Sequence, residues 1–190
     1  MLLPNYSEFT KPFVISGGPG AGKTTLMRSL SRLGAVTYDE VSRTLIEREL
    51  RSPEPILPWT NLPAFAHLCF QEMEAQLKAS LCNEQLSFVD RAIPDIVAYL
   101  KLGNENLLAD DLVVPEGYQR MAFMCKPEAS IYLVDDVRPH PFEEALEIHQ
   151  LLLDTYRITG FTVLEVPWGT PEKRANWVLS HCETVIPEGV

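Results

Sequence analysis

Short apolar runs alternate along most of the chain with segments whose apolar residues recur every three or four positions. Apolar runs rich in β-branched and aromatic residues indicate buried strands, and the three-to-four spacing indicates amphipathic helices. The predicted strands cover residues 13–16, 35–38, 86–89, 121–124 and 161–166. The predicted helices cover residues 23–33, 40–50, 65–81, 95–102 and 142–158, and a last helix opens at Thr170-Pro171-Glu172. This alternation predicts an α/β fold in which helices cover both faces of a parallel sheet.

Two segments interrupt this alternation. Residues 52–63 carry four prolines and are predicted to form an irregular loop. Residues 103–120 are expected to form short helices and loops. No repeat, low-complexity tract or linker divides the 190 residues, so we expect a single domain over residues 1–190 with its core at about 11–182.

The charge of the chain excludes some classes of partner. The 16 Lys and Arg residues stand against 26 Asp and Glu residues, which gives a formal net charge of −10. Such a surface repels phosphate backbones and anionic lipid, so binding to nucleic acid or membranes through bulk charge is not expected. A bound anion must therefore be held by a local feature.

The cysteines and the N-terminal residues indicate a cytoplasmic protein. The four cysteines are far apart and show no metal-binding spacing, so we expect reduced and mostly buried thiols. Residues 1–8 lack the basic and apolar regions of a signal peptide. No run approaches the ~18 apolar residues that a membrane span needs.

A glycine-rich turn between the first predicted strand and helix is the local feature that can hold an anion. The residues Gly17-Gly18-Pro19-Gly20-Ala21-Gly22-Lys23-Thr24 match the P-loop motif G-x-x-x-x-G-K-[ST] at every fixed position. Its glycines let backbone N–H groups approach phosphate oxygens, and the helix that follows adds further N–H groups and its dipole. In such a loop Lys23 reaches the β- and γ-phosphates, Thr24 ligates Mg²⁺ and Thr25 contacts the α-phosphate. The predicted ligands are ATP or GTP with Mg²⁺, and the predicted nucleotide-binding residues are Gly18, Pro19, Gly20, Ala21, Gly22, Lys23, Thr24 and Thr25.

Charged residues that follow two other predicted strands are candidates for the chemistry. Asp90 and Arg91 come at the carboxyl end of the third strand, where ligands bind in open α/β sheets. There Asp90 could hold Mg²⁺ or accept a hydroxyl proton, and Arg91 could stabilise a transferring phosphoryl group. The alternative is a surface salt bridge. Glu40 and Arg43 follow the second strand one helical turn apart, and either line the acceptor side of the cleft or form an ordinary surface pair.

Two later segments are predicted to complete the site. Arg138 lies in a polar, proline-bounded stretch that we interpret either as a lid over residues 133–141 or as a solvated loop. Trp168 follows the last strand and either packs against a nucleobase or belongs to the core. The four histidines have neither metal-binding nor triad spacing and are assigned no chemistry.

Taken together, these motifs resemble the small predicted ATPases of the AAA_28 family, which are P-loop proteins of the kinase-like branch. The matching residues are 17–25, Glu40-x-x-Arg43, Asp90-Arg91-Ala92-Ile93-Pro94-Asp95 and Ala98-Tyr99-Leu100, with shorter matches at Pro58-Trp59, Tyr118, Ile131-Tyr132, 135–138, Phe142-Glu143-Glu144-Ala145 and Glu165-Val166-Pro167. The resemblance implies a three-layer α/β/α P-loop NTPase fold with a central P-loop strand in a five-stranded parallel sheet and a short lid.

The resemblance also carries expectations about the site. It implies that the cleft is lined by Glu40, Arg43, Asp90, Arg91 and Arg138. Relatives often carry more than one arginine in the lid, whereas Arg138 is the only arginine here between Lys126 and Arg157. The related nicotinamide riboside kinases have an acidic residue and an arginine after the second strand, which implies a nucleoside-like acceptor as one option.

Three functions fit these residues. The first is a Mg²⁺-dependent phosphotransferase that moves the γ-phosphate of ATP or GTP to an unidentified hydroxyl or phosphate acceptor. In this scheme Thr24 and Asp90 organise the metal, Asp90 or Glu40 orients or deprotonates the acceptor, and two arginines, Arg91 and Arg138, hold the moving group. The second is an NTPase that hydrolyses nucleotide to drive a conformational change. The third is a nucleotide-dependent regulatory binding module.

Overall fold

Strands and helices alternate as predicted in the computed structural model, which describes residues 11–105, 113–132 and 141–182. The strands are β1 (Phe13–Gly17), β2 (Val36–Tyr38), β3 (Ser87–Asp90), β4 (Met121–Cys125) and β5 (Thr162–Val166). The helices are α1 (Lys23–Arg32), α2 (Val41–Glu49), α3 (Leu62–Leu81), α4 (Ile93–Leu102), α5 (Phe142–Ile158) and α6 (Pro171–Cys182). A 3-10 turn, Ala129–Ile131, follows β4.

The five strands form one parallel sheet in the order β2-β3-β1-β4-β5. The central strand β1 pairs with β3 on one side and β4 on the other, so that Ile15 lies between Asp90 and Phe123. The strand order therefore reverses at β1, and such a switch point is where open α/β sheets bind ligands. The predicted five-stranded sheet with a central P-loop strand is confirmed.

Alternate residues of the central strands point into two separate hydrophobic layers, as the two-residue period of a strand requires. Phe13, Phe88 and Phe123 pack against one another and against α1 and α6, and the centroids of the Phe13 ring and each of the other two rings lie 5.9 Å apart. Val14 and Val89 face the opposite layer, which α3, α4 and α5 cover. This arrangement confirms the three-layer α/β/α architecture.

Side chains at the helix starts explain where the elements depart from the predicted bounds. The Asn61 side chain accepts a hydrogen bond from the N–H of Ala64 at 3.1 Å, and Pro63 occupies a first-turn position that needs no N–H donor. Helix α3 therefore begins at Leu62, inside the segment predicted as a loop. The predicted cap of α6 is confirmed, because Thr170 Oγ1 accepts a hydrogen bond from the N–H of Lys173 at 3.3 Å.

Other predictions concern the cysteines, membrane spans and the loops outside the sheet. Cys69, Cys125 and Cys182 are buried, Cys82 is exposed, and none of the four forms a disulfide with another described residue. None of the described helices has both the length and the apolar character that crossing a membrane requires. Arg138 and nearly all of the predicted lid lie outside the described residues, as do residues 106–112 of the segment 103–120.

Candidate active site

The glycine-rich turn after β1 adopts a backbone conformation that only glycine accepts readily. Gly20 and Gly22 have φ angles of 72° and 67°, in the left-handed region where a Cβ atom is unfavourable. A Cβ atom on Gly20 would also lie 2.3 Å from Cδ2 of Tyr132. The turn can therefore form, and the Tyr132 ring can lie against it, only because these positions are glycine.

Helix α1 presents unpaired backbone donors directly after this turn. Its N-cap residue, Gly22, provides no side-chain cap, and its first intrahelical bond runs from the N–H of Leu26 to the Gly22 carbonyl at 3.2 Å. The N–H groups of Lys23, Thr24 and Thr25 therefore have no intrahelical acceptor, as at every helix start. Such a start is suited to binding an anion because the helix dipole adds positive potential.

The P-loop lysine lies between two carboxylates from distant parts of the chain. Lys23 is 7% exposed. Its Nζ atom contacts Oδ1 of Asp90, which lies at the end of β3. The same Nζ atom lies 3.2 Å from Oε2 of Glu40, which comes just before α2. Strand β3 lies between β1 and β2 in the sheet, so the carboxyl ends of these strands bring the three residues together. Three predicted site residues thus form one buried ion cluster.

Arg91 extends this cluster from the other side of Glu40. Its Nε atom lies 3.1 Å from Glu40 Oε1, and its Nη1 atom donates to Asp95 Oδ1 at 2.8 Å. The Arg91 backbone has a φ angle of 72° and donates its N–H to the Ile15 carbonyl at 2.9 Å. Asp90 and Arg91 are both buried, so they do not form the surface salt bridge considered as the alternative.

Asp95 is a site residue to which sequence reasoning assigned no role. Its side chain is fully buried, and its oxygens accept hydrogen bonds from Ser16 Oγ at 2.6 Å, from Arg91 Nη1, from the Ala92 N–H at 3.1 Å and from the Tyr156 hydroxyl. These four donors compensate a carboxylate that burial alone would destabilise. The available sequence signal was the position of Asp95 itself, an acidic residue in the first turn of a helix and four positions after an arginine. Asp95 holds Arg91 in place.

The two carboxylates that contact Lys23 are in different electrostatic states. Burial works to raise the pKa of Glu40, but the charges of Arg91 and Lys23 and a hydrogen bond from Ser42 hold that pKa well below its usual range. Burial also raises the pKa of Asp90, where the opposing charge of Lys23 is partly cancelled by the negative charge of Glu40. Glu40 is therefore a fixed anion, whereas Asp90 takes up a proton more readily than an ordinary aspartate.

The other predicted residues lie apart from this cluster. Arg43 is exposed on α2 and joins none of the cluster's ion pairs within the described part of the chain. Trp168 is 51% exposed, which excludes the interpretation of a core residue. Its ring centroid lies 5.6 Å from the guanidinium carbon of Arg174. Arg174 contacts the P-loop backbone, and sequence reasoning missed it because nothing distinguishes it from an ordinary helical arginine 152 positions after Gly22.

The described residues fit a magnesium ion that arrives with phosphate. They contain no group of three or more His, Cys, Asp or Glu side chains that could hold a metal ion unaided. Mg²⁺ at nucleotide sites needs few protein oxygens, because phosphates and water supply the rest. The hydroxyl of Thr24 is exposed in the first turn of α1, next to Lys23, which contacts Asp90. Thr24 and Asp90 are the residues suited to such an ion.

Structural comparison defines the class of protein to which this fold and site belong. The chain is similar to thymidylate kinase from Ehrlichia chaffeensis, with 18% identity and a TM-score of 0.56 over 91% of this chain and 98% of the kinase. It is similar to shikimate kinase from Aquifex aeolicus, with 16% identity and a TM-score of 0.55 over 90% and 96% of the two chains. It is also similar to the NadR protein in complex with NR, with 17% identity and a TM-score of 0.66 over 97% of this chain and 54% of NadR. The chain therefore spans about half the length of NadR. The fold is therefore that of the P-loop kinases.

Sequence comparison adds the family. No curated protein sequence matches this chain significantly. The profile of the AAA_28 family, described as an AAA domain, matches residues 12–174. The chain belongs to the AAA_28 family, as its motifs indicate.

The Tyr156→Phe substitution tests the hydrogen-bond network of Asp95. Removing the hydroxyl leaves a buried carboxylate with one donor fewer, so we expect the free energy of unfolding to fall by about 1–3 kcal/mol. Urea denaturation followed by circular dichroism measures this change. Tyr38→Phe is the matched control, because the Tyr38 hydroxyl makes no hydrogen bond with any described residue. Equal stabilities of the two variants would contradict the role given to this network.

The Glu40→Gln substitution tests the depressed pKa of Glu40. Because the folded-state pKa lies below the unfolded-state value of about 4.3, ionised Glu40 stabilises the fold above that value. This stabilisation is lost as pH falls below it towards the folded-state pKa. The variant should therefore be less stable at pH 7 and lose less stability between about pH 5 and pH 3. Urea denaturation across this range measures the difference, with the exposed Glu84→Gln as control; parallel curves for wild type and Glu40→Gln would contradict the assignment.

Proposed function

We propose that this protein is a Mg²⁺-dependent phosphotransferase that moves the γ-phosphate of ATP or GTP to a hydroxyl or phosphate group of a small molecule. One observation carries the proposal: the P-loop lysine contacts Asp90 and Glu40, so a phosphate-binding turn and two carboxylates share one site. An acceptor group bound at these carboxylates would face the phosphate that Lys23 holds. Four cysteines that form no disulfide within the described part of the chain support a cytoplasmic location.

The first step is the binding of the polyphosphate. The N–H groups at the start of α1 hold the phosphate oxygens, and Lys23 exchanges its carboxylate contacts for the β- and γ-phosphates. This exchange frees the side chain of Asp90. Thr24 and Asp90 would hold Mg²⁺ at this site, and the ion would supply charge neutralisation and alignment of the phosphates.

The second step is the transfer itself. The acceptor oxygen attacks the γ-phosphorus, the bond from that phosphorus to the bridging oxygen breaks, and ADP or GDP leaves. When the acceptor is a hydroxyl, its proton passes to a carboxylate, and Asp90 suits this role because burial raises its pKa. Glu40 stays ionised and orients the acceptor. Arg91, which Glu40 and Asp95 hold, stabilises the moving phosphoryl group in this scheme.

The remaining predicted residues complete the proposal. The exposed ring of Trp168 is available to a nucleobase. Arg43 is assigned to the acceptor side of the cleft and Arg138 to a lid over the phosphates. The structural relatives are kinases named for thymidylate and shikimate, and NadR is bound to NR. The variety of these small molecules supports a small-molecule acceptor, and the acceptor panel described below determines its chemical class.

The Lys23→Ala substitution tests nucleotide binding. Without the ammonium group, Asp90 and Glu40 repel the phosphates, so we expect the affinity for MgATP or MgGTP to fall by roughly a hundredfold or more. Isothermal titration calorimetry measures the affinities. Lys78→Ala removes an exposed lysine and serves as the control, and thermal unfolding of both variants checks the fold. Unchanged binding in Lys23→Ala would falsify the P-loop assignment.

The Asp90→Asn substitution tests phosphotransfer. If Asp90 accepts the acceptor proton, we expect turnover to fall by about 10²–10⁴-fold, while the affinity for nucleotide without Mg²⁺ changes little. Formation of nucleoside diphosphate is measured with a panel of nucleosides and small hydroxylated metabolites, and Asp154→Asn, an exposed aspartate, is the control. Diphosphate formed at the same rate with and without every acceptor would identify an NTPase instead. Nucleotide binding without turnover in the wild type would support a regulatory module.

A further inference from the structure

Arg174 joins α6 to the P-loop backbone. Its side chain is 3% exposed, and it donates from Nη2 to the Ala21 carbonyl at 3.1 Å and from Nη1 to the Gly22 carbonyl at 3.3 Å. One guanidinium group thus bridges two successive carbonyls immediately before α1. The proposed mechanism gives this arginine no role.

The planarity of the peptide bond gives these two contacts a directional consequence. In a trans peptide the C=O and N–H groups point in opposite directions. Holding the Ala21 and Gly22 carbonyls towards α6 therefore turns the N–H groups of Gly22 and Lys23 away from α6. These are the N–H groups that a P-loop directs at phosphate. The Gly22 carbonyl is also held by α1 through the N–H of Leu26, so the arginine reinforces the orientation of donors that it does not itself touch.

The charge of Arg174 lacks a carboxylate partner. Among the ion pairs of residues 11–105, 113–132 and 141–182, none involves Arg174. Its Nε atom is buried and has no hydrogen-bond partner among the residues that the structure describes. Buried cations are normally paired, because desolvation is costly. A guanidinium group that is buried behind an anion-binding turn and not neutralised by any described carboxylate supplies positive potential to that turn.

The surroundings of Arg174 restrict its geometry. A Cβ atom on Gly22 would lie 2.8 Å from Nη1, so a side chain at residue 22 would displace the guanidinium group from its present position. The Trp168 ring lies beside the guanidinium group, with its centroid 5.6 Å from Cζ, within the range of a cation–π contact. The P-loop and the connection between β5 and α6 are therefore linked through one side chain.

We propose that Arg174 is a positioning residue for polyphosphate binding: it bridges the Ala21 and Gly22 carbonyls and thereby turns the P-loop amides towards the phosphates. The inference rests on the proposed nucleotide binding and adds a residue that contacts the loop rather than the ligand. It requires both the charge of the side chain and its two-pronged shape, because a lysine cannot bridge two carbonyls with a planar fork.

The experiment measures affinities for ATP, ADP and adenosine in the wild type, Arg174→Met and Arg174→Lys, with Arg157→Met as a control that removes an exposed arginine. We expect Arg174→Met to bind ATP and ADP about ten- to a hundredfold more weakly, the loss that a charge-assisted hydrogen bond gives. Adenosine, which has no phosphate, should lose much less affinity than ATP, because Arg174 can affect nucleobase binding only through its contact with Trp168. Arg174→Lys keeps the charge and should still lose several-fold in ATP affinity.

Chemical rescue separates positioning from general damage. Guanidinium ion at low millimolar concentration should restore part of the ATP affinity of Arg174→Ala, whereas sodium at equal ionic strength should not. Any of three results would overturn the inference. The first is an equal loss of affinity for ATP and adenosine, and the second is wild-type ATP affinity in Arg174→Met or Arg174→Lys. The third is the absence of rescue by guanidinium. Failure of the wild type to bind ATP or ADP would instead overturn the proposed function, so the two failures are distinguishable.

Discussion

A buried ammonium group needs anions around it, because desolvating a charge costs several kcal/mol that only opposite charges and hydrogen bonds offset. Lys23 has two such anions, Asp90 and Glu40. They come from the ends of β3 and β2, so satisfying this one cation requires β1, β2 and β3 to end at the same edge of the sheet. The parallel strand order provides this alignment, because the P-loop follows the central strand. The ion cluster and the topology therefore depend on each other.

The cluster continues as a row of alternating charges. Glu40 uses one oxygen for Lys23 and the other for Arg91, and Arg91 in turn binds Asp95. Any ligand that draws Lys23 away from Glu40 changes the electrostatic surroundings of Arg91 without touching it. Lys23 and Arg91 are thus coupled through one shared carboxylate, that of Glu40. Asp95, at the far end of this row, is fixed in position because it is fully buried and accepts hydrogen bonds from β1, from the N-cap of α4 and from α5.

Local sequence patterns predicted the sheet and the P-loop well, because strand and helix periods and the glycine-lysine motif are short-range signals. Glu40, Asp90 and Arg91 were also predictable, since residues that follow parallel strands converge at one edge. The partners of these residues were not. Asp95 resembles an ordinary residue in the first turn of a helix, and only the fold brings Ser16 of β1 and Tyr156 of α5 to it. Arg174 depends on a helix packing whose register no local pattern specifies.

The distribution of charge explains how a chain with a formal net charge of −10 can bind a polyphosphate. Within the ion cluster, two cations stand against three carboxylates, which leaves a formal charge of −1. That cluster alone would disfavour a bare polyphosphate and favour one that carries a divalent cation. Attraction for the phosphates must come from elsewhere, namely from the amides at the start of α1 and from the buried guanidinium group of Arg174, which approaches from α6. In the proposed function, this separation of positive from negative potential would let the carboxylates bind the metal and the acceptor while the backbone binds the phosphates.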